Sequence, residues 1–346
     1  MLMAATPKFL KAPDRQDGAR LLPFDLVVLN GLLKVCKIEA VTLGHAAPRA
    51  FVGRLQQGAS QICSAECTFP MHGRFTLPAG WCMLGYIHRA GERSWCHAIP
   101  LSAHTAFTVM ADKECDFRLG AGTQVSFIVM PVDALQAALA SIGTTHDEPL
   151  QLPRLLHVSD ALASGNLRKT YRQLRQHVLL HAQASAGSAH DTERLDLESI
   201  VESHLAACLA APRDDFPGCT RGQRRHYLIV RRTEQFMRIN LRNDIYVEQI
   251  CLAAGISERA LRYAFGDLLG VSPMQYLSML RLCTACKSLA LSDISRRSVK
   301  SVALNCGFRD LSRFAENYRR MFDEPPHTTL LRPPPAAPWQ PETSGH

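Results

Sequence analysis

No stretch of this sequence reaches the roughly 18 consecutive apolar residues that a membrane-spanning helix requires, which removes that class of membrane protein. The opening "MLMAATPKFLKAPDR" lacks an apolar run of signal-peptide length, so a cytoplasmic, reducing location is expected. Disulfide patterning is missing too. The 12 cysteines are scattered through apolar contexts such as "LLKVCKI" and "VALNCGF", and read as buried thiols. One CxxC spacing exists, at Cys283 and Cys286, but it falls mid-helix with no second pair, so no metal is assigned to it. No nucleophile motif is found, and no carboxylate completes an HxH(x)nE(x)nH metal arrangement. A reactive "PCHR"-like cysteine motif, which a fused DNA-repair methyltransferase would need, is absent as well. An enzyme is therefore disfavoured, and no cofactor is expected.

Excess charge is also missing from most of the chain. Residues 1–220 hold twenty basic and twenty acidic residues. Residues 221–332 hold nineteen Lys and Arg against ten Asp and Glu, so one third of the 346 residues carries all of the +8 excess. A basic field concentrated in this way points to a polyanion, most often nucleic acid.

The length suggests two domains. From about 50 to 131, short β-prone segments such as "WCMLGYIHR" and "QVSFIVMPV" alternate with turns such as "LPAGW", "AGERS" and "LGAGTQ". That rhythm fits a small antiparallel barrel or sandwich. From 133 to 209 the pattern turns helical, with Leu167, Tyr171, Leu174 and Val178 forming one apolar stripe. Residues 24–41 are a continuous apolar segment, helix or buried strand. "APRDDFPGCTRGQ" reads as a linker, and the proline-rich end beyond 332 reads as a disordered tail. The expected division is thus 1–210, a linker at 211–222, 223–332, and a tail at 333–346.

The basic third repeats itself at an offset near 53 residues. "FGDLLGVSPMQYL" matches "YRRMFDEPPHTTL", and "ICLAAGIS" matches "VALNCGFR" after one inserted residue. Each copy runs apolar helix, small residue, Gly, apolar residue, second helix, which is the helix-turn-helix layout. In the first copy Gly255 makes the turn, Ser257 caps the second helix, and Leu261, Phe265 and Leu268 face inward. Arg259, Arg262 and Tyr263 then face outward, where Arg can bond guanine bidentately and Tyr can reach a phosphate or a thymine methyl. In the second copy Gly307 turns, and Phe314, Tyr318 and Met321 or Phe322 go inward. Leu311, Ser312, Arg313 and Glu316 face out, a less basic face. Ser257, Arg297, Lys300, Arg319 and Arg320 are candidate phosphate contacts. Between the copies Ser272 and Pro273 start one helix to Leu291, roughly 28 Å long at about 1.5 Å per residue. Such a rod can set two helices into successive major grooves, about 34 Å apart along the duplex.

"VEQICLAAGISERALRYAFGDLLGVSPMQYLSMLRL", followed by "SVALNCGFRDLSRFAENYRRMF" and a Pro pair, resembles the DNA-binding domain of the AraC/XylS (arabinose-operon-regulator) family of bacterial transcription factors. The likeness covers about residues 224–331. "GRFTLPAGWCMLGY" and "FRLGAGTQVSFIVMPVDAL" are similar to the ethanolamine-operon regulator type within it. The resemblance implies an α+β protein, with an N-terminal cupin-like β-barrel and helical extension ahead of an all-α domain with two helix-turn-helix motifs. It also implies an activator that binds promoter DNA, touches RNA polymerase, dimerises, and answers to a small effector. One departure is "FDEPPHTT", with Asp and Glu where many members have a Gly-Val turn; another is the unusually basic "ISRRSVKSV". The aromatic and histidine residues Trp81, Tyr86, His88, Trp95 and His97 would line the effector pocket at a barrel mouth. His88, His97, Cys82 and Cys96 could also be read as a metal cluster, but an aromatic core with surface histidines is the preferred reading. The alternative function is a constitutive DNA-binding regulator governed by protein partners, with no ligand.

Overall fold

The computed structural model describes residues 22–23, 38–44, 49–111, 114–141, 155–157, 161–184, 194–210, 218–292 and 298–332. Among these residues the N-terminal part is built of twelve strands: β1 (Leu22–Pro23), β2 (Glu39–Thr42), β3 (Arg49–Gln57), β4 (Ser60–Cys67), β5 (Met71–Thr76), β6 (Trp81–Arg89), β7 (Trp95–Cys96), β8 (Ile99–Pro100), β9 (Thr105–Met110), β10 (Glu114–Leu119), β11 (Thr123–Pro131) and β12 (Leu155–His157). They form two antiparallel sheets, ordered β1-β3-β4-β11-β6-β9-β12 and β2-β5-β10-β7-β8.

The expected closed barrel is corrected here to two separate sheets. The edge strands are too short, at two to four residues, to carry the ladder from one sheet into the next. Short edges of this kind also keep a sheet from pairing with foreign strands. The sheets bury a shared apolar layer in which Phe75, Cys96 and Cys115 of one meet Met83, Val109 and Val129 of the other. Strand β12 lies in a stretch whose pattern reads as helical, because three residues are too few to show a period.

Three helices back the larger sheet: α1 (Val132–Ser141), α2 (Ala161–Ala184) and α3 (Leu197–Ala210). The expected stripe Leu167, Tyr171, Leu174 and Val178 is buried, against Ile62, Leu84, Tyr86 and Ile128 of the sheet. Such large side chains each contribute about 1.5–3 kcal/mol on full burial.

The C-terminal part is all helix: α4 (Arg221–Ile239), α5 (Val247–Ala254), α6 (Glu258–Leu268), α7 (Pro273–Ala290), α8 (Val299–Asn305), α9 (Leu311–Phe322) and α10 (Pro326–Leu331). Local chemistry sets the starts. Thr220 with Gln223, and Ser272 with Gln275, close reciprocal capping boxes on α4 and α7, and Pro273 opens α7. Helix α7, 18 residues long, is the spine, with both CxxC thiols, Cys283 and Cys286, buried in its core face. Residues 211–217 of the linker expected at 211–222, residues 24–37 of the apolar segment at 24–41, Arg297 and the tail expected at 333–346 fall outside the described residues.

The two parts share one core. Val41, Leu43, Trp95 and Ala98 of the sheet region join the cluster formed by α4, α6, α7, α8 and α9. Strand β2 runs along α7, where Thr42 Oγ1 lies 3.7 Å from Cys283 Sγ.

Candidate nucleic-acid interface

The pairs α5–α6 and α8–α9 are built alike. Gly255 and Gly307 both adopt the left-handed conformation, at φ 68° and 80°. In each turn the residue after the glycine donates its N–H five residues back: Ile256 to Cys251 O at 3.1 Å, and Phe308 to Ala303 O at 3.0 Å. That is the bond pattern of a helix end closed by glycine. Beyond the turn the inward residues agree at an offset of 53. Leu261, Phe265 and Leu268 are buried in α6, and Phe314, Tyr318 and Met321 in α9. Ser257 Oγ accepts from Ala260 N–H to cap α6, and an Asp310 carboxylate oxygen accepts from Arg313 N–H to cap α9.

What each second helix shows to solvent differs. Arg259, Arg262 and Tyr263 are all exposed on α6, Tyr263 at 60%. The Arg259 guanidinium lies 5.5 Å from the centre of the Tyr263 ring, a cation–π distance. Arg262 pairs with Glu258 one turn back. On α9, Ser312, Arg313 and Glu316 are exposed, whereas Leu311 is half-buried and packs against the core. Arg320 pairs with Glu316 at 2.9 Å. Lys300 and Arg319 are exposed. The Asp of the departing "FDEPPH" turn, Asp323, takes a left-handed φ of 60°, a conformation Asp tolerates better than most residues. Glu324 then pairs with Arg332 and accepts from Thr329.

The residues expected at an effector pocket are spread over three places. Trp81 packs in the layer between the sheets. Tyr86 stacks on Tyr171 of α2 with ring centres 5.0 Å apart, and its hydroxyl meets His104 Nδ1 at 2.9 Å. His88 bonds Ser126 Oγ at 2.9 Å, and burial, helped by Arg175 and His104, lowers its pKa to about 4. Trp95 and His97 reach the helical part. Trp95 Nε1 donates to Leu268 O of α6 at 2.9 Å, and His97 Nδ1 lies 3.2 Å from the Tyr227 hydroxyl of α4. None of the five lines the cavity between the sheets, which holds about 130 Å³ and is walled by Met71, Phe75, Met83, Phe107, Phe117 and Phe127 among others. Nor do His88 and Cys82 join His97 and Cys96. Cys82 donates instead to Met130 O.

A buried polar network joins the smaller sheet to the helices, and nothing in the sequence pattern announced it. His72 Nε2 meets Asp116 Oδ1 at 2.9 Å, and His72 Nδ1 meets the Tyr276 hydroxyl of α7 at 2.8 Å. Tyr276 donates to Glu234 Oε1 of α4 at 2.7 Å, and Tyr227 donates to Asp116 Oδ2 at 3.0 Å. With the Tyr276 proton committed to Glu234, both His72 nitrogens face acceptors, so the pattern calls for a proton on each. Arg74 pairs with Glu234 and lies 3.3 Å from Asp116 Oδ2. Arg238 pairs with Glu234 at 2.8 Å. Burial by itself would raise the carboxylate pKa values. The cations His72 and Arg74 overcome it at Asp116, which falls to about 2, and His72, Arg238 and Arg74 lower Glu234. The one legible trace is Glu234 itself, an acid among the buried positions Tyr227, Val230, Thr233 and Met237 of α4.

Residues 250–332 match the profile of a family described as "Helix-turn-helix domain". The chain is 41% identical over 101 residues to the XylDLEGF operon transcriptional activator 2 of Pseudomonas putida, across 29% of this chain and 63% of that protein. Its C-terminal part is an AraC/XylS-type domain. The chain is also 27% identical over 158 residues to a probable thc operon regulatory protein of Rhodococcus erythropolis, covering 41% of this chain and 45% of that one. Among solved structures it is similar to a probable AraC family transcriptional regulator from Rhodopseudomonas palustris, with 36% identity over 30% of this chain and 94% of that chain, at a TM-score of 0.28. The matches to these two curated relatives span less than two thirds of their length. The family matched by the AraC/XylS-type domain is one of transcription regulators, not of enzymes. Among the described residues no helix is long and apolar enough to cross a membrane.

Proposed function

We propose that this chain is a sequence-specific DNA-binding regulator of transcription, acting as an activator on promoter DNA and contacting RNA polymerase. The observation that carries the reading is the exposed face of α6. Arg259, Arg262 and Tyr263 stand on a helix whose opposite face is locked by Leu261, Phe265 and Leu268. In this reading α5–α6 and α8–α9 are two helix-turn-helix motifs, and α7, about 27 Å long, spaces them for successive major grooves. Arg259, Arg262 and Tyr263 read bases in one groove, and Leu311, Ser312, Arg313 and Glu316 in the other. Ser257, Arg297, Lys300, Arg319 and Arg320 serve phosphates. The division into 1–210, 211–222, 223–332 and 333–346 goes with it, the first unit sensing and dimerising.

Control by a small effector is the remaining element. The cavity between the sheets is smaller than the usual few hundred Å³ of a ligand pocket, and apart from cysteine thiols none of the described residues that wall it carries a polar side chain. An organic effector there is a compact apolar molecule. The same small, apolar interior favours the second reading, a regulator that binds DNA constitutively and is governed by protein partners.

Genome-wide mapping of bound sites supplies the promoter for the test. With the full chain, the double variant Arg259→Ala, Arg262→Ala is expected to lose its preference for that promoter over unrelated DNA. The loss should be about thirtyfold or more, since each bidentate base contact contributes about 1–3 kcal/mol. Wild-type affinity should fall steeply as salt rises. Unchanged selectivity in the double variant sinks the reading.

A further inference from the structure

We propose that Cys96, Cys115 and His97 form a binding site for a divalent zinc-class metal ion, at the seam between the smaller sheet and α4. Among the described residues this is the one cluster of its kind, with a ligand atom from each residue within 4.8 Å of the others. The two sulfurs are 3.9 Å apart. Two zinc–sulfur bonds of about 2.3 Å at a tetrahedral angle hold sulfurs about 3.8 Å apart, so the thiols already stand at the spacing a shared ion imposes.

The backbone supports the same assignment. Strands β7 and β8 pair through Trp95 with Pro100 and Cys96 with Ile99, leaving His97 and Ala98 as a two-residue turn. Both have positive φ, 51° and 65°. Tight hairpin turns of this kind normally place Asn and Gly there. Two side-chain-bearing residues in succession in left-handed conformations are an uncommon and unfavourable pair. The turn sets His97 against the strand that carries Cys115, where its backbone N–H donates to Asp116 O at 2.9 Å.

The histidine has an outer partner of the kind that metal-bound histidines have. Tyr227 donates its own proton to Asp116 Oδ2, so its oxygen accepts from His97 Nδ1–H. The other nitrogen, Nε2, accepts from Asp116 N–H at a long 3.3 Å. This places the acceptor nitrogen at Nε2, backed by a Tyr–carboxylate chain, the outer-shell arrangement that tunes ligating imidazoles, and an ion bound there replaces the long bond from Asp116 N–H. Electrostatics select the ion. Cys96 and Cys115 are buried and border the apolar cavity. Two thiolates and a neutral imidazole around a 2+ ion make a neutral unit there, whereas a monovalent ion leaves a buried negative charge. On binding, the two thiols release their protons to solvent as two metal–sulfur bonds form. Three protein ligands leave a fourth position for water.

The inference does not depend on DNA reading, because its readout is the metal. The full-length chain, purified reduced and stripped with chelator, is titrated with Zn2+ and, separately, with Co2+. We expect one equivalent of zinc retained after dialysis. The Co2+ form should show sulfur-to-cobalt charge-transfer absorption of two thiolates and a tetrahedral visible spectrum. Cys96→Ser and Cys115→Ser should each lower retention at least tenfold, His97→Ala should change the visible spectrum, and Cys63→Ser, outside the cluster, should leave both unaltered. Absence of the charge-transfer band in the folded wild type overturns the site, so the result stands even if a cysteine variant does not fold. Full zinc retention in a folded Cys96→Ser, Cys115→Ser variant overturns it equally.

Discussion

The two helix pairs of the C-terminal part share one scaffold and present different faces. Their inward residues superimpose in pattern, with Leu261, Phe265 and Leu268 answering Phe314, Tyr318 and Met321. Their outward residues do not. α6 shows two arginines and a tyrosine, whereas α9 shows a serine, an arginine and a glutamate, with Leu311 half-withdrawn into the core. A core must fill a fixed volume, so duplicated copies keep similar apolar residues at the same positions. Solvent-facing positions carry no such constraint, and they can diverge.

The turns differ as well, and this gives the largest expected contrast. A Cβ on Gly307 would lie 2.4 Å from Leu241 O and 2.9 Å from Arg281 Cζ, whereas a Cβ on Gly255 meets nothing within 4 Å. Gly307→Ala should therefore lower unfolding stability by about 3 kcal/mol or more, the sum of a left-handed backbone cost and overpacking. Gly255→Ala should cost only about 1 kcal/mol, the conformational part alone. Denaturant melts of the two variants check this, and equal losses would break the distinction between the turns.

Next in size is the proposed unequal reading of two half-sites. Arg313→Ala removes the one arginine that α9 offers for base contact, and should weaken binding to the mapped promoter about tenfold, or ~1.4 kcal/mol. That is less than the Arg259→Ala, Arg262→Ala double variant, and the lost preference should map to the opposite half-site. Retardation assays on promoters with one half-site scrambled separate the two. If Arg313→Ala matches the double variant in size, the faces are read equally.

The smallest effect concerns Glu258, which holds Arg262 on the exposed surface of α6. Glu258→Gln should change the melting free energy by no more than about 0.5 kcal/mol, as expected for an exposed pair one turn apart. It should raise DNA affinity slightly by releasing Arg262. A clear loss of affinity would mean that the pair itself presents the arginine to DNA.

Much of the helical part was legible beforehand. Gly255, Ser257, Ser272 and Pro273 mark turns and caps by local chemistry, and 3.6-residue spacing locates the buried faces, so neighbouring residues were enough. The β-rich part was legible only in outline. Short strands could be expected, but closure was not decided by any segment, since it depends on how edge strands pair. The effector residues show the limit most clearly. Trp81, Tyr86, His88, Trp95 and His97 look like one aromatic pocket in the sequence, yet Tyr86 turns to α2 while Trp95 and His97 turn to α6 and α4. Alternation along a strand shows which face a side chain takes, but not what covers that face.

By itself the sequence determined the charge asymmetry and the turns, caps and buried faces of the helices, because these follow from composition, short-range spacing and capping. Only the tertiary structure decided that the sheets stay open, that Cys96, His97 and Cys115 converge, and that His72, Arg74 and Asp116 bind Glu234, Tyr227 and Tyr276. Those partners lie more than a hundred residues apart. A buried charge is stable only when such distant groups meet it, and nothing local in the chain records the meeting.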